Sequence, residues 1–511
     1  MRLEDLLAAH AQRTPDKTVL VAGERRLNFA ELLNSTQALA RGLRRCGVGP
    51  GDRVLVYLPN GIEFVELLLA ASALGAISVP VNMRLTPKEL AYFVQDSQPS
   101  VIAFHSNTRE ALRQIDAELG VVKRVVVGDA VEGALAYDEL RKPSGEPLPE
   151  VPLSAQDCMI LYTSGTTGKP KGALITQANC IIQNGFLNAF DWGITAEDRF
   201  LVTTPLAHRT GLGRMLNAVC LGATLVLMDR FDAKRTIDLV ERERITALGM
   251  VTTVARMLLP FLQNDPGRCA SLRHIIVTGE AFPVELKRQV FELLPHVRLC
   301  SYFAMTEVGS VTSLSHEEQF THPASVGRPT PGIQVKLVDD AGKPVAIGEA
   351  GEMLVRTGVP GSFTTMRGYY NRPEETAATI VNGWVRTGDM ARMDAEGYLY
   401  IVDRKKDMVL SGGYNVYTKE VEHALLELPA VADVAVVGVP DEVYGEAVAA
   451  FVELHPGQSL TAEALVEHCK SRIASYKKPK HVHFVAALPR NSLGKVLKAE
   501  LRKLAIVKSE A

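Results

Sequence analysis

Short β-branched runs alternate with helical hydrophobic periods between Asp52 and Asp129, and this alternation strongly constrains the fold. The runs at 54–58, 77–81 and 101–104 are predicted strands. The apolar period that ends at Ala73 and the segment 87–95 are predicted helices. Such a rhythm is typical of an α/β sheet with helices packed on it. It resumes after a proline-rich connector at 142–149, with predicted strands at 200–204, 224–228, 275–278 and 297–302, so we expect a second α/β subdomain.

The pattern changes after residue 333. The segment 333–403 carries strand patterns separated by the hairpin signals DDAG at 339–342 and DAEG at 394–397, which predicts a β-rich lobe. Residues 407–511 combine predicted strands at 434–437 and 447–452 with predicted helices near 461–474 and 496–504. A chain of 511 residues is too long for one ordinary core. The predicted fold class is multidomain α/β, with an N-terminal domain over 1–403, a hinge at 404–406 and a small mobile α+β C-terminal domain over 407–511.

Charge and cysteine content exclude several classes of protein. The chain has 56 Lys and Arg against 58 Asp and Glu, a net charge of -2, which gives no indication of a nucleic-acid partner or a basic membrane-binding surface. Seven scattered cysteines without a CxxC spacing indicate neither a disulfide framework nor a zinc site, and favour a reducing cytoplasm. The N-terminus carries Glu4 and Asp5 and lacks an apolar signal region. The apolar segment 64–81 is interrupted by Glu66, Gly75 and Pro80, so it predicts a buried helix and strand and no transmembrane segment.

The segment 162–172 reads YTSGTTGKPKG and follows an apolar run, and we expect the segment after it to be helical. Glycines let backbone N–H groups turn toward an anion, while hydroxyls and lysines add donors and positive charge. The segment therefore predicts a loop that binds polyphosphate. It is not a Walker-type loop, because only two residues separate Gly165 from Gly168 and Pro170 follows Lys169. An ordinary Gly/Ser surface loop would explain the composition but not the motifs downstream.

Four further motifs follow in order: YFAMTE at 302–307, GWVRTGD at 383–389, DRKKD at 403–407 and PRNSLGK at 489–495. Together with the loop they resemble the signatures of the acyl-adenylate-forming (AMP-binding) superfamily, over roughly residues 6–503. The wording of SGGYNVY at 411–417 and YKKPK at 476–480 resembles bacterial acyl-CoA synthetases for fatty or related acids.

The resemblance implies an enzyme that activates a carboxylic acid as acyl-AMP, with ATP and Mg²⁺, and transfers the acyl group to coenzyme A. A carboxylate is a poor electrophile, so AMP serves as its leaving group, and the site must hold and neutralise phosphates. In this resemblance Thr306 contacts the α-phosphate and Glu307 holds Mg²⁺, since a carboxylate beside a phosphate loop requires a cation between them. The implied phosphate loop comprises Thr163, Ser164, Gly165, Thr166, Thr167, Gly168, Lys169 and Lys171.

The nucleoside has its own implied residues. Asp389 would accept hydrogen bonds from both ribose hydroxyls, with Arg404 nearby, although an Asp after Thr-Gly is by itself more often a turn residue. The adenine would lie against Gly279, Glu280 and Ala281 and the ring of Phe303. The superfamily usually has Tyr at position 303 and often Gly at 302, where this chain has Tyr302, so a hydroxyl-mediated contact is in doubt while stacking is preserved.

Three residues after the main domain carry implied roles in a two-pose cycle. Lys495 matches the adenylation lysine, although a lysine near a C-terminus is ordinarily just solvated. Lys406 matches the hinge. Gly413, after Gly412, matches a backbone contact for pantetheine, and a plain hairpin turn is compatible with that role.

The acid is expected to contact 205–215, 249–257 and 302–306, with His208 as a gate between the acid and thiol channels or, alternatively, as a core histidine. Arg209 and Arg214 sit where apolar lining is common and could recognise a distal carboxylate. Because arginines are seldom buried without a partner, we expect both to point outward and the acid to be an apolar fatty or aryl acid.

Only sixteen residues follow Lys495, so we expect no fused carrier domain and free coenzyme A as acceptor. The alternatives are a stand-alone enzyme that loads a carrier protein, a dicarboxylate–CoA ligase that uses Arg209 and Arg214, and a light-emitting or non-catalytic nucleotide-binding protein. A homodimer is a possible assembly.

Overall fold

The structure is a computed structural model that describes residues 1–142, 145–152, 154, 156–163, 169–279, 282–358, 365–490 and 496–509. The chain forms two compact units. Unit 1 comprises Met1–Val335 and Leu354–Arg386, and unit 2 comprises Lys336–Met353 and Thr387–Ala511. The predicted boundary at 404–406 falls inside unit 2 and stays a prediction.

Helices of unit 1 alternate with its strands over most of its length. The helices are α1 (Leu3–Arg13), α2 (Phe29–Arg45), α3 (Ile62–Ala73), α4 (Pro87–Ser97), α5 (Arg109–Arg113), α6 (Asp116–Leu119), α7 (Tyr137–Leu140), α8 (Asn188–Trp192), α9 (Arg209–Leu221), α10 (Ala233–Arg242), α11 (Thr252–Asn264), α12 (Val284–Leu293) and α13 (Pro373–Thr379). A π-helix (Asn179–Leu187) precedes α8, and 3₁₀ turns lie at Ser106–Thr108 and Pro266–Cys269.

The strands that lie wholly in unit 1 are β1 (Thr18–Ala22), β2 (Arg25–Asn28), β3 (Arg53–Tyr57), β4 (Ile77–Pro80), β5 (Val101–His105), β6 (Lys123–Val127), β7 (Leu135–Ala136), β8 (Asp157–Thr163), β9 (Lys171–Thr176), β10 (Arg199–Val202), β11 (Thr224–Leu227), β12 (Ala247–Met250), β13 (His274–Val277), β14 (Arg298–Met305), β15 (Gly309–Leu314) and β16 (Arg328–Pro329). The unit boundaries fall within β17 (Ile333–Val338) and β18 (Ala350–Thr357), and unit 1 continues with β19 (Gly368–Tyr369) and β20 (Ile380–Val381).

Two large sheets organise unit 1. One runs in the order β19-β9-β8-β4-β3-β5-β6-β7 and the other in the order β16-β15-β14-β13-β12-β10-β11-β1-β2. Their central pairs, such as β3 with β4 and β12 with β13, are parallel, while β9, β15 and β2 pair antiparallel. The central strands are buried almost throughout, as expected for strands covered on both faces by helices.

Local signals explain several helix starts. Asn28 and Glu31 form a reciprocal capping box at α2, and Thr86 and Glu89 form another at α4, where Pro87 occupies the first turn. Helix α3 is apolar on every side and almost entirely buried, because it packs within the main core and not at the surface.

Unit 2 begins with segments of strands and ends in a small α+β body. It contains part of β21 (Trp384–Met393), then β22 (Leu399–Arg404), β23 (Val409–Ser411), β24 (Tyr414–Val416), α14 (Thr418–Leu426), β25 (Val431–Asp441), β26 (Gly445–Leu454), α15 (Ala462–Arg472), a 3₁₀ turn (Ser475–Lys477), β27 (His481–Phe484) and α16 (Lys498–Ser509). One sheet has the order β24-β23-β26-β25 with β27 beside β26, and β22 pairs with β21. Two apolar clusters pack on the long β25–β26 pair.

The predicted multidomain α/β fold class with a small C-terminal domain is confirmed, and the predicted strands and helices lie within a few residues of the observed ones. One local prediction was wrong. The segment after the predicted phosphate loop is strand β9, antiparallel to β8, and not a helix. In the described part of the chain, no helix is both long enough and apolar enough to cross a bilayer.

Candidate active site

The two ends of the predicted phosphate loop are fixed by a strand pair. Thr163 ends β8 and lies opposite Lys171, the first residue of β9. The Thr163 hydroxyl is 3.5 Å from the Lys171 carbonyl oxygen, to which it donates. The loop residues Ser164, Gly165, Thr166, Thr167 and Gly168 lie outside the described residues.

The Glu307 carboxylate lies next to the base of this loop. Tyr369 on β19 pairs with Ala173 on β9, and its hydroxyl donates to Oε1 of Glu307 at 2.8 Å. The Lys171 ammonium lies 5.2 Å from the centroid of the same Tyr369 ring. A buried carboxylate, a phenol and a lysine therefore meet beside the loop.

Tyr369 was not found by sequence reasoning. It belongs to no recognised motif, and a two-residue strand such as β19 gives little periodicity to read. Lys169 also lies against an aromatic ring, with its ammonium 6.0 Å from the Tyr92 ring centroid. The Tyr92 hydroxyl donates to the Pro170 carbonyl at 2.7 Å.

The donor set near Glu307 fits Mg²⁺ better than a metal held by protein ligands alone. Within the described residues, no three His, Cys, Asp or Glu side chains cluster as a metal site. Mg²⁺ is commonly held by one or two carboxylates with substrate phosphates and waters. A single buried carboxylate beside a phosphate loop matches that pattern.

The predicted adenine segment lies at the ends of β13 and β14. Gly279 has φ +100°, a conformation that favours glycine, and an added Cβ would lie 3.3 Å from Val251. The Thr278 hydroxyl donates to the Tyr302 carbonyl at 3.1 Å, which ties the two strand ends together. Phe303 is half-buried and, next to Tyr302 on β14, points to the opposite face. Glu280 and Ala281 lie outside the described residues.

Thr306 directly follows a strand, and His208 is the N-cap residue of a helix. Thr306 is half-buried and directly follows β14. His208 precedes α9, and its Nε2 lies 3.3 Å from Nδ2 of Asn82, just beyond β4. It is half-buried and contacts a side-chain amide, so it is not a core histidine held only by backbone groups.

The expectation that Arg209 and Arg214 point outward was wrong for both. Arg214 is only 2% exposed, and none of its three guanidinium nitrogens has a hydrogen-bond partner. Arg209 donates through Nη2 to Oδ1 of Asn179, while its Nε and Nη1 are buried without a partner. Burial lowers the pKa of both guanidiniums. The reason is that α9 is buried on nearly every side, with all residues of 211–220 buried, and packs against the π-helix and β12.

The three segments predicted to contact the acid do meet around Arg214. Its side chain packs against Gly249, where an added Cβ would lie 3.3 Å from Cγ and Cδ. Its guanidinium carbon lies 4.6 Å from the Trp192 ring centroid and 5.9 Å from that of Tyr302. Trp192 had not been singled out from the sequence.

Unit 2 brings Asp389 and Arg404 together by strand register. The two residues are opposite each other on β21 and β22, and Arg404 Nε lies 2.7 Å from Asp389 Oδ1. Asp389 is buried, and its backbone N–H donates to the Thr387 hydroxyl at 3.0 Å. Gly388, between Thr387 and Asp389, has φ +70°, a value that favours glycine, although all three residues lie within β21. This local conformation does not prevent the Asp389 carboxylate from binding a ligand.

Lys406 lies exposed in the turn between β22 and β23, where its carbonyl accepts a hydrogen bond from Arg502 at 3.3 Å. Gly412 and Gly413 form the two-residue turn of the β23–β24 hairpin, with φ +58° and +83°. An added Cβ at Gly413 would meet nothing within 4 Å, so space is open beside it. Lys495 lies outside the described residues.

The sequence matches two family profiles. The AMP-binding enzyme family matches residues 7–370, and the AMP-binding enzyme C-terminal domain matches residues 420–495. The indoleacetate–CoA ligase of Aromatoleum aromaticum is 36% identical over 99% of this chain and 98% of its own. A feruloyl-CoA synthase of an Amycolatopsis species is 34% identical over 96% of this chain and 97% of its own.

Solved structures agree with these matches. The o-succinylbenzoate CoA synthetase of Bacillus subtilis in complex with its acyl-adenylate intermediate superposes with a TM-score of 0.83 at 31% identity, covering 97% of each chain. The same protein in complex with ATP and a magnesium ion gives a TM-score of 0.85 at 31% identity, covering 97% of this chain and 98% of that one.

Proposed function

Because this chain belongs to the AMP-binding enzyme family and is an AMP-forming acyl-CoA synthetase, we propose that the residues described above divide its two half-reactions between them. In the first half-reaction, a carboxylate oxygen of the acid attacks the α-phosphate of ATP and pyrophosphate leaves. In the second, the sulfur of coenzyme A attacks the acyl carbon and AMP leaves.

The observation that carries the assignment of the phosphate region is the contact of Glu307 with Tyr369, beside Lys171. A buried carboxylate and an ammonium group therefore lie at the base of the loop proposed to bind phosphate, which comprises Thr163, Ser164, Gly165, Thr166, Thr167, Gly168, Lys169 and Lys171. Mg²⁺, held by Glu307 and phosphate oxygens, would neutralise phosphate charge when bound. Thr306 donates to the α-phosphate, and the lysines and hydroxyls hold the pyrophosphate portion.

The nucleoside contacts are proposed residue by residue. Asp389, oriented by Arg404 and its Thr387 contact, accepts from the ribose hydroxyls as a bidentate carboxylate. Phe303 offers a ring face to adenine but no hydroxyl. The backbone at Gly279, Glu280 and Ala281 borders the same base.

The second half-reaction is assigned to a change of pose in the C-terminal domain. Lys495 bridges carboxylate and phosphate in the adenylating pose, and rotation at Lys406 removes it. The hairpin at Gly413 then faces the thiol channel, since open space beside a glycine backbone admits pantetheine. His208 separates the acid and thiol channels.

Compartment and assembly form the remaining part of the proposal. All seven cysteines are buried and unpaired, which supports work in the reducing cytoplasm. The assembly is proposed to be a homodimer, and light scattering of the purified protein measures it.

The reaction is tested by incubating the protein with ATP, Mg²⁺ and a panel of carboxylic acids, with and without coenzyme A. Pyrophosphate should form with any accepted acid, while rapid AMP release and a thioester detected by mass should require coenzyme A. Pyrophosphate without any thioester would instead indicate loading of a carrier protein. ATP binding without pyrophosphate from any acid would contradict the proposal.

A further inference from the structure

Arg214 is the least satisfied charged group among the described residues around the acid segments. It is 2% exposed, and its Nε, Nη1 and Nη2 have no hydrogen-bond partner. A charge buried without a partner is strongly unfavourable, and arginine is almost never found in that state unless something pairs with it. The Arg214 guanidinium is nevertheless buried, which indicates a hydrogen-bonding partner that is not among the described residues.

The aromatic neighbours of Arg214 stabilise its positive charge but do not satisfy its hydrogen-bond donors. Trp192 and Tyr302 lie over the guanidinium at centroid distances of 4.6 and 5.9 Å. Such stacking uses the face of the planar cation, whereas its N–H donors point outward in the plane. The donor edge is shaped for a carboxylate or a related oxyanion, which accepts two parallel hydrogen bonds.

The position of Arg214 also rules out an ordinary surface pair. The residues that surround it come from α9, from Gly249 on β12 and from Tyr302 on β14, which are the segments assigned to the acid. Tyr302 replaces the glycine common in the superfamily and supplies one of the stacking rings. No carboxylate of the described residues comes within ion-pair distance of the Arg214 nitrogens.

The surroundings continue this polar character toward Arg209. Asn184 donates to the Asn179 carbonyl at 2.8 Å, and Asn217 donates to the Asn184 carbonyl at 2.6 Å. Asn217 on α9 also donates to the Gly185 carbonyl at 3.1 Å, so a side-chain amide satisfies carbonyl groups of the π-helix. An apolar acyl tail would find few matching surfaces beside these buried amides and two guanidiniums.

We propose that the acid carries a second oxyanion at the end remote from the reacting carboxylate, and that Arg214 is the specificity-determining residue that pairs with it. The inference rests on the proposed ligase function. Arg209, the first residue of α9, has further unpaired donors at Nε and Nη1. The second oxyanion is a carboxylate or a sulfonate, and the choice between them is an arm of the test.

The test compares matched acids of equal chain length. Pentanoate is compared with glutarate and 4-sulfobutanoate, and phenylacetate with 4-carboxyphenylacetate, by kcat/KM for coenzyme A-dependent pyrophosphate release. Wild-type protein should prefer the acid with the second anion in at least one pair by roughly 10²-fold. In Arg214→Met that ratio should collapse, mainly through KM, because the remote contact is equally strong in the ground and transition states. Arg214→Lys should restore part of the ratio.

Lys287→Met is the matched control, since Lys287 on α12 is another buried cation, 2% exposed, and its ammonium donates to the Pro323 carbonyl, which lies outside the acid segments. It should leave the substrate ratio unchanged. If Arg214→Met does not fold, the inference is tested with the wild-type protein alone, by its preference among the acids and by the thermal shift that each acid produces. An active ligase that prefers pentanoate and phenylacetate overturns the inference, as does an Arg214→Met variant that loses all acids equally. Absence of pyrophosphate with every acid overturns the ligase function instead.

Discussion

Individual side chains determine where charged groups lie in unit 1. Glu307 shows this best, because the Tyr369 phenol donates to its carboxylate and Lys171, at the end of the predicted phosphate loop, lies against the same ring. Lys171 and Lys169 are each positioned over a tyrosine ring, and neither forms an ion pair with a carboxylate of the described residues.

The variant Glu307→Gln should weaken adenylation, because an amide is a neutral and poorer ligand for Mg²⁺ than a carboxylate. We expect the Mg²⁺ concentration for half-maximal pyrophosphate release to rise by roughly 10-fold or more, by analogy with losses of metal-site contacts. High Mg²⁺ should recover part of the rate. Glu292→Gln, an exposed position on α12, is the control and should behave as wild type. Wild-type kinetics of Glu307→Gln at low Mg²⁺ would remove Glu307 from the metal site.

Lys287 gives a prediction about pH. Burial lowers its pKa to about 8, below the ordinary value of 10.5 in the unfolded chain. The folded state therefore bears the full cost of the buried charge below pH 8, and this cost declines as pH rises from 8 to 10.5. Removing the charge by Lys287→Met should stabilise unit 1 near pH 7 by about 1–3 kcal/mol, after loss of the Pro323 hydrogen bond.

The measurement is the difference in melting temperature between Lys287→Met and wild type across pH 7 to 10.5. The difference should be greatest at pH 7 and shrink toward pH 10.5. A difference that grows with pH would show that Lys287 is not a buried cation in the folded state.

At the scale of elements, the turn between β22 and β23 is the proposed pivot between the two half-reactions. Proline fixes φ near -65° and removes an N–H, so Lys406→Pro should restrict rotation there. We expect acyl-adenylate to form and accumulate while acyl-CoA formation falls by roughly 10²-fold. Lys406→Ala keeps backbone freedom and serves as the matched control. Acyl-CoA formation at the wild-type rate in Lys406→Pro would show that the pivot lies elsewhere.

Elements also show where sequence patterns stop being informative. The alternation at 54–104 predicted β3, β4, β5 and the helices between them, because buried strands and amphipathic helices have distinct periods. Strand β9 was predicted as a helix because six residues of mixed polarity fit either period. The π-helix has no simple sequence signal, since its extra residue per turn is set by packing against α9.

For the whole molecule, Lys495→Ala should abolish acyl-adenylate formation, with a loss of roughly 10²- to 10³-fold, as for removal of one transition-state donor. Thioester formation from supplied acyl-adenylate should be largely retained. The measurement compares the two half-reactions in one preparation, with Lys503→Ala, an exposed residue of α16, as control. Equal damage to both half-reactions would contradict the two-pose assignment.

The fold class and the reaction type could be predicted from ordered motifs spread over the whole chain, because each motif serves one part of the same chemistry. The orientation of Arg209 and Arg214 could not. A statistical preference for exposed arginines holds for an average site, but α9 turns these two residues into the interior, next to Trp192 and Tyr302. Contacts between distant segments, such as Tyr369 with Glu307, likewise depend on the folded arrangement.

The pairing of Thr163 with Lys171 has a consequence for how the chain can vary. Seven residues separate the two, and successive side chains of a strand point to opposite faces. Lengthening the intervening segment would cost little in closure entropy. A shift of one residue in the register of β9, however, would turn Lys171 away from Tyr369 and bring Pro170 or Gly172 to its place. Lys171 therefore keeps its orientation when the register shifts by an even number of residues and loses it when the shift is odd, whatever the length of an insertion.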